Sequence, residues 1–117
     1  MRKKLRPRVL HRYNINHRII AELVHPESRR IIFTMIKKSK TVEEICKETG
    51  FPISSVYMKI RDLQKISLIY VDGRDFSPKD RIVTRYRSRI KGAKIEFTKY
   101  EPKVSLIENL VKSGDKK

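Results

Sequence analysis

The chain has 117 residues, room for one small domain with tails, and carries 29 Lys and Arg against 13 Asp and Glu, a net charge of +16. Hydrophobic residues make up 38% and charged residues 36%, which allows a core, but a small one. No stretch approaches the roughly 18 consecutive apolar residues of a membrane span, no apolar h-region follows the basic N-terminus, and the single cysteine, Cys46, excludes an intramolecular disulfide and a Cys-rich zinc site.

Residues 1–15 read as a basic arm, with Pro7 interrupting any early helix. Asn14 or Asn16 can cap a helix over about 16–24, whose apolar positions Ile19, Ile20, Leu23 and Val24 fall at helical spacing. His25-Pro26 stops it, because the residue before proline is pushed out of the α region. A second helix is predicted from about Glu27-Ser28 to Lys38. Its inner stripe is Ile31, Ile32, Met35 and Ile36, and Lys37 and Lys38 suit the negative end of the dipole. Thr41 and Glu44 have the spacing of a capping box, with Val42, Ile45, Cys46 and Thr49 as the buried face and Gly50 as the stop. A fourth helix, 52–66, opens on Pro52 and carries Ile53, Val56, Ile60 and Leu63 as its inner stripe.

The period then changes from 3.6 to 2. Residues 68–76 and 81–90 read as two strands around a Ser77-Pro78-Lys79-Asp80 turn, and Lys91-Gly92 ends the second. Residues 93–100 read as a third strand. After Pro102, the positions Val104, Ile107, Leu110 and Val111 predict a short amphipathic C-terminal helix. The domain plan is an arm (1–15), a folded domain (16–100) and a C-terminal short helix with a tail (101–117). The fold class is mainly α with a small antiparallel β wing.

The charge excess sits in two blocks. Residues 1–18 hold Arg2, Lys3, Lys4, Arg6, Arg8, Arg12 and Arg18 with no acid, and residues 73–94 hold eight basic residues against Asp75 and Asp80. Self-repulsion on this scale is relieved by a polyanionic partner. A short helix, a Gly-containing turn, a second amphipathic helix and a hairpin form a winged helix-turn-helix. A helix fits the major groove of B-DNA, and basic side chains on a hairpin reach phosphate. Winding the 52–66 helix at ~100° per residue sends Ser54, Met58, Arg61 and Lys65 outward, with Ser55, Tyr57, Lys59 and Asp62 on the flanks. Strand alternation puts Arg81, Arg85, Arg87 and Arg89 on one face of 81–90, a face that needs an anionic surface opposite it. The expected contacts to double-stranded DNA are therefore Ser54, Ser55, Tyr57, Met58, Lys59, Arg61 and Lys65 from the helix. Arg74, Lys79, Arg81, Arg85, Arg87 and Arg89 come from the wing, and Arg2, Lys3, Lys4, Arg6 and Arg8 from the arm.

The stretch HPESRRIIFTMIKKSKTVEEICKETGFPISSVYMKIRDLQKISLI resembles the winged helix-turn-helix core of ArsR-like (arsenic-repressor-type) transcriptional regulators, especially short archaeal members. The likeness spans about 16–90. It rests on Pro26–Arg30, the capped Thr41–Gly50 helix, Ser54-Ser55-Val56-Tyr57 opening the recognition helix, and Leu63 leading into Leu68-Ile69. Ser67 stands where the family commonly has Gly. The resemblance implies a homodimer joined through terminal helices, here 16–24 and 104–111, with Ile19, Ile20, Leu23, Ile107 and Leu110 at the interface.

Metal sensing does not carry over, since Cys46 is alone and His11, His17 and His25 lack Cys or carboxylate neighbours at ligand spacing. No phosphate-binding Gly-rich loop, Gly-x-Ser-x-Gly motif or metal-ligand pair is present, so neither enzyme activity nor a cofactor is expected. The expected function is a DNA-binding transcriptional regulator in the cytoplasm, associated with the nucleoid. The alternatives are a low-specificity architectural or chromatin protein and a winged-helix module in an RNA or protein complex.

Overall fold

The computed structural model describes residues 17–76 and 81–112. Helix α1 covers 17–23 and ends ahead of His25-Pro26, as the proline predicts. His25 is extended (φ −85°, ψ 119°) and Pro26 opens α2, Pro26–Thr34. This second helix is shorter than the spacing predicts. The main chain just past Thr34 is claimed by later elements: Met35 O accepts from Ser88 N at 3.1 Å, and Ile36 O accepts from the side chains of Arg87 and Asn109. Lys37 and Lys38 consequently lie in bends beyond the helix and not in its last turn.

Helix α3, Val42–Thr49, begins with the predicted capping box. Glu44 N donates to Thr41 Oγ1 at 3.2 Å, and Thr41 N donates to Glu44 Oε1 at 3.0 Å. Gly50 ends the helix in the left-handed region (φ 80°), and its N–H donates to Cys46 O at 2.8 Å. Helix α4, Ile53–Lys65, follows after three residues, with Pro52 extended at its N-cap. Ser67 makes the turn out of α4 at φ 63°, a left-handed position that a residue with a Cβ occupies at a cost.

Strands β1, Ile69–Phe76, and β2, Ile82–Ser88, form an antiparallel hairpin. Its register runs from Ile69↔Ser88 at the base to Phe76↔Ile82 at the outer end, with a bulge between Val71 and Arg74 that holds Gly73 at φ 112°. Lys40 pairs with Tyr86 by two backbone hydrogen bonds of 2.8 and 2.9 Å, which fastens the hairpin to the start of α3.

The C-terminal part departs from the expectation. The break after the second strand falls at Arg89, and Lys91-Gly92 lies inside β3, Ile90–Glu96. In place of an amphipathic helix over 104–111, Lys103–Glu108 forms β4, antiparallel to β3 with Ile95 opposite Val104 and Ala93 opposite Leu106. VSLIENLV carries apolar residues at both helical and alternating spacing, and pairing with β3 decides between them by satisfying the backbone of both strands. The folded part therefore crosses residue 100, where the domain plan places a boundary. Four helices and two antiparallel hairpins make up the described chain, with more β structure than expected.

One core joins these elements. Ile19 and Leu23 of α1, Ile31 and Ile32 of α2, Met35, Val42 and Ile45 of α3, Val56, Ile60 and Leu63 of α4, Leu68, Ile69 and Ile90 pack in a single cluster. Glu22 Oε1 accepts from Ser28 Oγ at 2.7 Å and from Lys59 Nζ at 3.3 Å, so one carboxylate ties α1 to α2 and α4. The expected interface role of α1 is corrected here: Ile19, Ile20 and Leu23 are buried within their own chain.

Candidate nucleic-acid interface

The two sides of α4 differ as its spacing predicts. Val56, Ile60 and Leu63 are at most 2% exposed and fix the helix on the core. Ser54, Tyr57, Met58, Arg61 and Lys65 are exposed, while Ser55 and Lys59 are half-buried on the flanks. Tyr57 and Met58 are 57% and 56% exposed. Ile53 departs from its predicted place in the inner stripe: it is 52% exposed at the first helical position and adds to the outer face. That face presents hydroxyls, two large apolar groups with Tyr57 between them, and two cations. Lys59 is engaged with Glu22, so its ammonium braces α4 against α1.

Arg85 and Arg87, two apart in β2, lie on one face of the hairpin, and the chain itself supplies the surface opposite them. Arg85 donates to Asp75 at 2.9 Å, to Glu44 at 2.9 Å and to the Ser39 hydroxyl and carbonyl at 3.0 and 2.9 Å. Glu44 thus serves both the α3 cap and the wing. Arg87 is 2% exposed. Its Nε and Nη2 donate to Ile36 O at 3.2 and 2.7 Å, Nη2 also donates to Val111 O at 2.6 Å, and Asp72 lies 4.0 Å away. The expectation that Arg87 grips phosphate is corrected by this burial. Arg85 is a strut between wing and helices. Arg89 is exposed beyond the end of β2, its guanidinium 4.8 Å from the Tyr70 ring centroid. Arg74 and Arg81 are also exposed. The exposed arginines described on or beside the β1–β2 hairpin are therefore Arg74, Arg81 and Arg89. Lys79 and the arm residues Arg2, Lys3, Lys4, Arg6 and Arg8 lie outside the described residues.

The chain matches no protein-family model and no curated protein sequence.

Sequence reasoning missed a polar joint behind the wing. Asn109 Nδ2 donates to Ile36 O at 3.0 Å and to Ser88 O at 2.9 Å, and Asn109 N donates to Arg89 O at 2.8 Å. With Arg87 it locks the exits of α2, β2 and β4 together. The only sequence signal was one Asn, beside Glu108, in the VSLIENLV segment. Among the described residues no three His, Cys, Asp or Glu side chains are grouped to hold a metal ion, and no helix is long and apolar enough to cross a membrane. Cys46 is half-buried on α3, and desolvation first and the Glu43 carboxylate second push its thiol above the usual range.

Proposed function

We propose that the chain is a winged-helix DNA-binding regulator that lays α4 in the major groove of duplex DNA and sets the β1–β2 hairpin against the adjoining backbone. The observation that carries the reading is the outer face of α4, where Ser54, Tyr57, Met58, Arg61 and Lys65 stand exposed on a helix braced by Val56, Ile60 and Leu63. Arginine is the side chain that pairs with the O6/N7 edge of guanine, and an apolar side chain such as Met58 packs on the methyl of thymine. The net charge of +16 supplies sequence-independent attraction to phosphate. Arg74 and Arg89, exposed on the hairpin, are the groups this reading sets against the backbone, where they fix register without reading sequence. The active unit in this reading is a homodimer. With Ile19, Ile20 and Leu23 buried, its contact falls to Ile107 and Leu110, 44% and 76% exposed.

Selection of bound duplexes from random DNA at near-physiological salt tests the proposal. A defined motif is expected for the wild-type chain, with a different preference for Arg61→Ala and for Met58→Ala. Recovery of unrelated sequences by all three proteins would favour low-specificity, architectural binding.

A further inference from the structure

The outer end of the wing has two chemically different faces. Opposite residues of an antiparallel pair project to the same side, as do residues two apart in one strand. Asp75, Val83 and Arg85 therefore share one face, and Arg85 turns it toward the protein through Ser39 and Glu44. Arg74, Phe76, Ile82 and Thr84 share the other. Phe76 and Ile82 sit directly opposite each other, 75% and 63% exposed, so two large apolar side chains stand side by side beyond the reach of the core. None of these four residues is acidic, and Arg74 lies two positions from Phe76 on the same side.

We propose that Phe76 and Ile82 form a wedge that enters the minor groove next to the site taken by α4, partly unstacks a base step and bends the duplex. The inference rests on the DNA-binding reading above. Apolar side chains of this kind, inserted from the minor groove, kink DNA toward the major groove. Arg74 is placed to meet a flanking phosphate. An anionic membrane also attracts apolar groups flanked by cations, but anchoring there takes a broad apolar surface, and among the described residues this face offers two large apolar side chains.

The test uses the full chain and a duplex of roughly 30 base pairs carrying a donor and an acceptor dye at its ends. Binding of the wild-type chain should bring the ends together, as a bend between about 20° and 90° requires. The Phe76→Ala/Ile82→Ala variant should bind with less than about a tenfold change in affinity, because the cost of bending is lost together with the wedge contact, and should leave the ends apart. Phe76→Leu should keep the bend. A 2-aminopurine placed at the opened step should brighten with the wild-type chain, a readout independent of any variant. Wild-type binding with neither a bend nor brightening would overturn the wedge and leave the DNA-binding reading standing. Absence of duplex binding would overturn both. Capture of the wild-type chain, but not the double variant, by phosphatidylserine vesicles, with the DNA bend the same for both proteins, would assign the pair to a membrane.

Discussion

Arg87→Ala separates the two roles available to this arginine. The guanidinium bridges the end of α2 to the chain after β4 through three hydrogen bonds of 2.6–3.2 Å, with its side chain 3% exposed. Hydrogen bonds from a charged donor contribute about 1.5–3 kcal/mol each. The sum is not simply lost, because Ile36 O keeps Asn109 Nδ2 at 3.0 Å and Val111, itself exposed, gains water on truncation. Asp72, at 4.0 Å and part-exposed, adds little. A loss of about 3 kcal/mol is therefore expected, the lower end of the range for removing one partner of a buried charged network. That is a large fraction of a stability of about 5–15 kcal/mol. Urea denaturation followed by circular dichroism should show the midpoint falling with an unchanged slope. Arg87→Lys should recover less than half of the loss, because an ammonium has no planar fork to span the two carbonyls. Duplex affinity of the folded variant should stay within about twofold of wild type, as for a group with no phosphate contact. An unchanged midpoint with a uniform loss of affinity on every duplex would refute the structural role and restore the phosphate contact.

Other substitutions follow from single features. Ser67→Gly should relieve the left-handed backbone at φ 63° and stabilise by roughly 1 kcal/mol; a melting temperature that does not rise in a thermal scan would contradict this. The raised Cys46 thiol should react with a disulfide reagent at pH 8 more slowly than a cysteine in an unstructured peptide, since less of it is thiolate, and Glu43→Gln should quicken the reaction. Equal rates for protein and peptide would count against burial as the cause. Leu110→Asp should shift sedimentation equilibrium toward monomer while leaving the circular dichroism spectrum near wild type, and an unaltered distribution would remove Leu110 from the interface.

The helical half of the molecule was legible because its signals are local. A capping box needs only Thr41 and Glu44, a left-handed stop needs only Gly50, and α4 needs only a 3.6-residue stripe, failing just at Ile53, where the helix begins. The remainder depends on partners distant in sequence. Residues 104–111 satisfy two periods at once, and β3 selects the strand. Alternation puts Arg85 and Arg87 on one face, yet it cannot say which way a face points. Ser39, Glu44 and the Ile36 carbonyl, brought together by the turn after α2, draw Arg85 and Arg87 inward. The same turn shortens α2 and places Asn109 where it holds three segments.

In the proposed complex the outer face of α4 occupies the major groove. Dimethyl sulfate methylates guanine N7, which opens only to that groove. On a duplex enriched by selection, the wild-type chain should protect a short cluster of guanines. Arg61→Ala should lose protection at one of them and weaken binding by about 1–3 kcal/mol, with the other guanines still covered. Guanines equally reactive with and without the wild-type chain, at concentrations that saturate the duplex, would contradict the account.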